Sequence, residues 1–109
     1  MSRADAPAPA MFFAALGDPT RLAMVERLAD GRPRSIARIG ADLPISRQAV
    51  AKHVEILHQA GLVDRRKSGR EVHVALRREA IEEARAWLDA VGAQWDGTLA
   101  RLKAFTEQA

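Results

Sequence analysis

The sequence predicts a mainly α-helical domain closed by a small β-hairpin, and three observations carry that prediction. Apolar residues recur at helical spacing in short runs punctuated by Gly and Pro as far as Gly61. The apolar period then falls to two, and from about Arg78 it returns to alternating threes and fours. At 109 residues, 48% apolar and 28% charged, the chain has the size and composition of one globular domain.

Residues 1–10, with Pro7 and Pro9 among several Ala, show no apolar period and read as a disordered leader; the domain is expected over residues 11–109. Met11, Phe12, Phe13 and Leu16 make a short helix stopped at Gly17. Asp18-Pro19 starts a second, because the carboxylate accepts otherwise unpaired N–H bonds and proline is pre-set for the first helical position. Leu22, Val25 and Leu28 or Ala29 repeat along it as far as Asp30-Gly31-Arg32-Pro33. Ser35 caps a third helix through Ile36, Ile39 and Leu43, ended by Pro44, whose ring disfavours helical dihedrals at Leu43. Pro44 to Ser46 form a tight turn into a fourth helix, capped by Ser46 and stopped by Gly61, with Val50, Val54 and Leu57 on one stripe. Leu62 to Arg66 and Glu71 to Leu76 read as strands joined through Ser68-Gly69, with Val72, Val74 and Leu76 on the packed face.

The last helix, about 78–107, carries Ile81, Ala84, Leu88, Val91, Trp95, Thr98, Leu102 and Phe105 in a near-heptad seam. Thirty helical residues reach ~45 Å, further than a small core covers, so the seam calls for a partner helix, most economically from a second copy across a two-fold axis. The competing expectation is a break at Gly92 or Gly97 that folds the end back. In the dimeric reading, Phe12, Phe13 and Leu16 join Leu88, Val91, Trp95, Leu99 and Leu102 at the interface between copies.

Charge is unevenly spread. The formal net charge is +3, but from Arg32 to Arg70 nine basic residues face three acidic ones, while both flanks are slightly acidic. Such a block suits a polyanion, or is a solvated face with an incidental bias. Zero Cys excludes disulfides, thiolate metal sites and thiol nucleophiles. No apolar run approaches a membrane span and residues 1–10 lack a secretory segment, so a cytoplasmic, membrane-free protein is expected. No Ser/His/Asp set, phosphate-cradling Gly loop or metal cluster is discernible, so neither an enzyme nor a cofactor is expected.

Three helices, a tight turn, a helix and a basic hairpin make the order of a winged helix-turn-helix. Within it, Phe13-Ala-Ala-Leu-Gly-Asp-Pro-Thr-Arg-Leu22, Ile45-Ser-Arg-Gln-Ala-Val-Ala-Lys-His-Val-Glu-Ile-Leu57, Gln59-Ala-Gly-Leu-Val63 and Gly69-Arg70 resemble the ArsR/SmtB family of dimeric bacterial transcriptional repressors, from about Phe12 to Leu76. The resemblance implies duplex DNA as partner and a homodimer on an imperfect inverted repeat. The family's metal sensors use Cys near the recognition helix, or Asp and His on the last helix. This chain has no Cys and no His there, and so looks like a metal-independent branch with no effector assigned.

With Val50, Val54 and Leu57 inward, Arg47, Gln48, Ala51 and Lys52 face a major groove, where Gln suits adenine, Arg or Lys guanine, and the Ala methyl thymine. Glu55 would limit how deeply the helix enters. Ser35 and Ser46 either meet phosphates, act as plain caps, or do both. Arg65, Arg66, Lys67 and Arg70 form a basic wing for phosphate or minor-groove contact, unless Arg70 pairs with Asp64. The family often has Tyr where Val74 stands, giving the wing a smaller packing partner here. His53 has two readings, a DNA contact or a half-buried hydrogen-bonding role. His53 and His58 diverge by ~140° on one helix and cannot chelate one ion. Packing explains Trp87 and Trp95 better than a ligand pocket does. A different reading of the basic block is a winged-helix interaction module for an acidic protein partner; mobility shift of pure duplex DNA separates the two.

Overall fold

The computed structural model describes residues 9–108. The expected leader over residues 1–8 lies outside them, whereas Pro9 and Ala10 already belong to the first helix. Proline is well placed there, because the N–H it lacks would have no intrahelical partner. The elements run α1 (Pro9–Leu16), α2 (Pro19–Arg27), β1 (Arg34–Ser35), α3 (Ile36–Gly40), α4 (Arg47–Gln59), β2 (Val63–Ser68), β3 (Glu71–Leu76) and α5 (Arg78–Gln108). The helices pack around a three-stranded antiparallel sheet in the order β1-β3-β2, a winged helix-turn-helix.

Met24, Ile39, Leu57, Leu62 and Val74 are fully buried and join α2, α3, α4 and the sheet into one core. Leu22, expected inward, is 43% exposed; Met24, Val25 and Leu28 form the inward face of α2, and Leu22 lies about 110° round the helix from its centre. The connection between α3 and α4 covers residues 41–46, longer than expected, because α3 ends at Gly40 in a tightening turn in which Leu43 N–H donates to the Gly40 carbonyl. β1 carries no periodic signal at two residues, yet it completes the sheet, with Arg34 opposite Val74 and Ser35 opposite His73.

Gly61, at φ +80°, ends α4. The Leu62 and Gly61 N–H groups turn back to the Leu57 and His58 carbonyls, both at 3.0 Å, and bring Leu62 against Leu57 in the core. At the hairpin tip Gly69 has φ +63° and Arg70 does not share it, the pattern of a two-residue loop with Gly first. β2 therefore runs on to Ser68, two residues past the expected end.

α5 is continuous through Gly92 and Gly97, so the fold-back does not occur. Its first turns dock through Ala80, Ile81 and Ala84, and Trp87 meets Phe13 with ring centroids 5.4 Å apart. Beyond that point it stands clear of the body, which raises the radius of gyration to 18.3 Å against about 13 Å for a compact 100-residue domain.

Asp18 caps α2, accepting from Thr20 N–H at 2.9 Å and Arg21 N–H at 3.1 Å. The Arg21 N–H above all, then the Arg21 charge and the Thr20 N–H, hold its carboxyl below the ordinary 3.8. A lowered folded-state value means that the cap's contribution is present above the unfolded value and lost as pH falls through the folded one. Asp18→Asn, which keeps an acceptor without the charge, should flatten the acid side of the melting-temperature profile as pH falls below about 5, read by thermal melts.

Candidate nucleic-acid interface

The inward stripe of α4, Val50, Val54 and Leu57, is buried, and Arg47, Gln48, Ala51 and Lys52 are all exposed, Gln48 and Lys52 facing away from the stripe and Arg47 and Ala51 on its flank. Ser46 starts the helix by accepting Ala49 N–H at 3.1 Å and is itself exposed. Ser35 caps α3 through Arg38 N–H at 3.1 Å but is buried, so it has little surface for a phosphate.

Tertiary contacts sort the nine cations of the basic block into two kinds. Arg34 turns inward: it forks onto Asp30 at 2.8 and 3.1 Å and donates to the Arg27 carbonyl, closing the end of α2. Arg65 reaches across to Glu55 on α4 at 2.5 Å. That bond first, then one from Gln59, lowers the Glu55 carboxyl below its usual range. Glu55, expected to restrict entry into a groove, instead ties the wing to α4, and Arg65 is the wing cation it neutralises. Asp64 pairs with Arg77, Nε to Oδ1 3.7 Å, and not with Arg70.

Arg32, Arg38, Arg47, Lys52, Arg66, Lys67 and Arg70 make no ion pair among the described residues. Arg32 and Arg38 escaped the sequence reading. They flank an open groove of about 450 Å³ that Ser35 and His73 also line, and the +6 block that contains them was the available signal. Arg66 sits opposite His73 on β3, which continues the same sheet face toward the wing. No group of three or more His, Cys, Asp or Glu able to hold a metal occurs among the described residues, and no described helix is long and apolar enough to cross a membrane.

His53 is half-buried on the flank of α4, its Nδ1 3.3 Å from Arg21 Nη1. Of the expected interface residues, Leu88, Val91, Trp95, Leu99 and Leu102 are exposed along α5, and Phe13 and Leu16 are partly buried against the core. Phe12 departs from them: at 5% exposure it is already core in the single chain and has almost no surface to offer a partner.

Comparison with known proteins agrees with this architecture. Residues 16–66 match a family model described as a helix-turn-helix domain. An HTH-type transcriptional regulator of Mycobacterium tuberculosis is 46% identical over 61 residues, 56% of each chain. A transcriptional repressor SmtB homolog of Synechocystis is 36% identical over 76 residues, 70% of this chain and 57% of that one. The chain therefore spans just over half the length of these two relatives. An ArsR-like transcriptional regulator from Rhodococcus sp. RHA1 superposes with a TM-score of 0.76 at 35% identity, covering 95% of this chain and 94% of that one. Fold, motif and near-complete overlap together place the chain in the ArsR/SmtB family of helix-turn-helix, DNA-binding transcriptional regulators.

Proposed function

We propose that the protein is a homodimeric repressor that binds an imperfect inverted repeat and blocks access to a promoter. The observation that carries this reading is the set Arg47, Gln48, Ala51 and Lys52, exposed on α4 beside Arg66, Lys67 and Arg70, wing cations that make no ion pair among the described residues. Two such helices across a two-fold axis would enter successive major grooves ~34 Å apart. Base reading falls to Gln48, Lys52, Arg47 and the Ala51 methyl. Phosphate contact falls to Arg66, Lys67 and Arg70, extended by Arg32 and Arg38 and by the exposed Ser46 hydroxyl. Arg65, held by Glu55, positions the wing and contributes little direct charge.

Selection of bound genomic fragments followed by footprinting tests the reading. A protected inverted repeat, with affinity falling steeply as salt rises, is the expected result; affinity indifferent to salt or to sequence would refute it. Gln48→Ala or Lys52→Ala should relax preference at one base pair by ~1–3 kcal/mol, whereas Arg66→Ala should weaken all sequences alike and reduce the salt slope by about one. Arg65→Ala should change the slope less than Arg66→Ala. Gel shifts over a salt series on operator and scrambled duplexes read all three.

A further inference from the structure

Arg21 bridges three helices. Its backbone N–H is held by Asp18 at the start of α2, its Nε donates to the Ala15 carbonyl in the last turn of α1 at 2.6 Å, and its Nη1 lies 3.3 Å from His53 Nδ1 on α4. The Ala15 carbonyl is one of those a helix end leaves without an intrahelical partner, so Arg21 satisfies it from the next helix. A guanidinium only donates, so this contact is a hydrogen bond when His53 Nδ1 is the acceptor, in the tautomer that carries its proton on Nε2. On its far side α1 is joined to α5 by the Phe13–Trp87 contact.

Besides the Glu55–Arg65 bond to the wing, the remaining grip on α4 is apolar, through Val50, Val54 and Leu57, and apolar packing has no directional preference. Rolling a helix by 10° within such a seat moves side chains at its 5–6 Å radius by about 1 Å, more than the ~0.5 Å tolerance of a working recognition site. A hydrogen bond at the flank, one residue from Lys52, ties that seat to α1 and α2 as the Glu55–Arg65 bond ties it to the wing. We propose that Arg21 is a positioning residue for DNA reading: through His53 Nδ1 it sets the roll of α4 and references the base-reading side chains to the α1–α5 face. This inference rests on the DNA-binding reading above and adds to it a residue outside the interface.

The test uses the shapes of Asn and Gln. Asn at position 53 puts an acceptor near the place of Nδ1, and Gln puts its amide near the place of Nε2. For the full chain, dissociation constants are measured on operator and on scrambled duplex of equal length, alongside mass and melting temperature. His53→Leu and Arg21→Gln should each lower the operator-to-scrambled ratio about tenfold, with scrambled-duplex affinity and salt slope kept. The double variant should lose no more than either alone, and His53→Asn should retain the ratio. Rescue by His53→Gln in place of His53→Asn would overturn the proposal in favour of direct contact through Nε2. Losses that multiply in the double variant, or equal weakening on both duplexes, would overturn it too. Should Arg21→Gln fail to fold, the three His53 variants decide. A wild-type chain without preference for any duplex would remove the functional reading itself, and that is seen before any substitution is made.

Discussion

Val91→Glu or Leu99→Glu in α5 is expected to leave a folded monomer that has lost its operator. Val91 and Leu99 are 41% and 46% exposed in the single chain, so neither substitution removes a core contact and the melting temperature of the subunit should change little. They belong to an apolar stripe that continues through Trp95, at 57%, to Leu102 and Phe105, too long to be left facing water in a stable monomer. In a two-fold interface one substitution places two like charges in the same desolvated seam, each without a counter-ion. Dimer dissociation should rise at least ~100-fold, and operator affinity should fall by a similar factor because the two half-sites are no longer held by one particle. Sedimentation and gel shift on the same samples check this. A dimer that persists with the charge in place would show that subunits meet elsewhere; a wild-type monomer with full operator affinity would remove the dimer altogether.

Gly40→Ala should be the most damaging single methyl in the DNA-binding half. A Cβ at Gly40 would stand 2.6 Å from Val50 Cγ2, and 3.4 Å from both Cβ and Cγ1 of that side chain. Val50 is buried and β-branched on a helix, with one strongly preferred rotamer, so it cannot swing aside. The remaining response is to part α3 from α4, at ~1–3 kcal/mol. At roughly 4–8 °C per kcal/mol for a domain of this size, the melting temperature should drop by about 5–20 °C. Operator affinity should weaken as well, because the turn between the two helices sets how α4 is presented. Val50→Ala in the Gly40→Ala background should recover part of the loss, although Val50→Ala alone destabilises; thermal melts of the four chains measure that coupling. Additive losses would mean that the close approach is relieved by some other movement.

Local chemistry alone determined much of this protein. Asp18, Ser35 and Ser46 as caps, Gly61 as a left-handed stop and Gly69 at the hairpin tip act on their own neighbours in the chain, and the Val50, Val54 and Leu57 stripe follows from helical period. The exposed set of Arg47, Gln48, Ala51 and Lys52 was legible for the same reason: the inward face of a helix fixes its outward one. Tertiary structure decided which charges remain available. Arg34 and Arg65 look like every other cation of the block in sequence, yet one is held by Asp30 and the other by Glu55, and Arg32 and Arg38 gain prominence because they make no ion pair among the described residues. It also buried Phe12, exposed Leu22, added the two-residue β1 and brought Arg21 to His53 across 32 positions. Caps, stops and periodic faces depend on interactions within a few residues. Ion pairs, short edge strands and cross-helix hydrogen bonds depend on where distant segments meet, which is set by how the whole core packs.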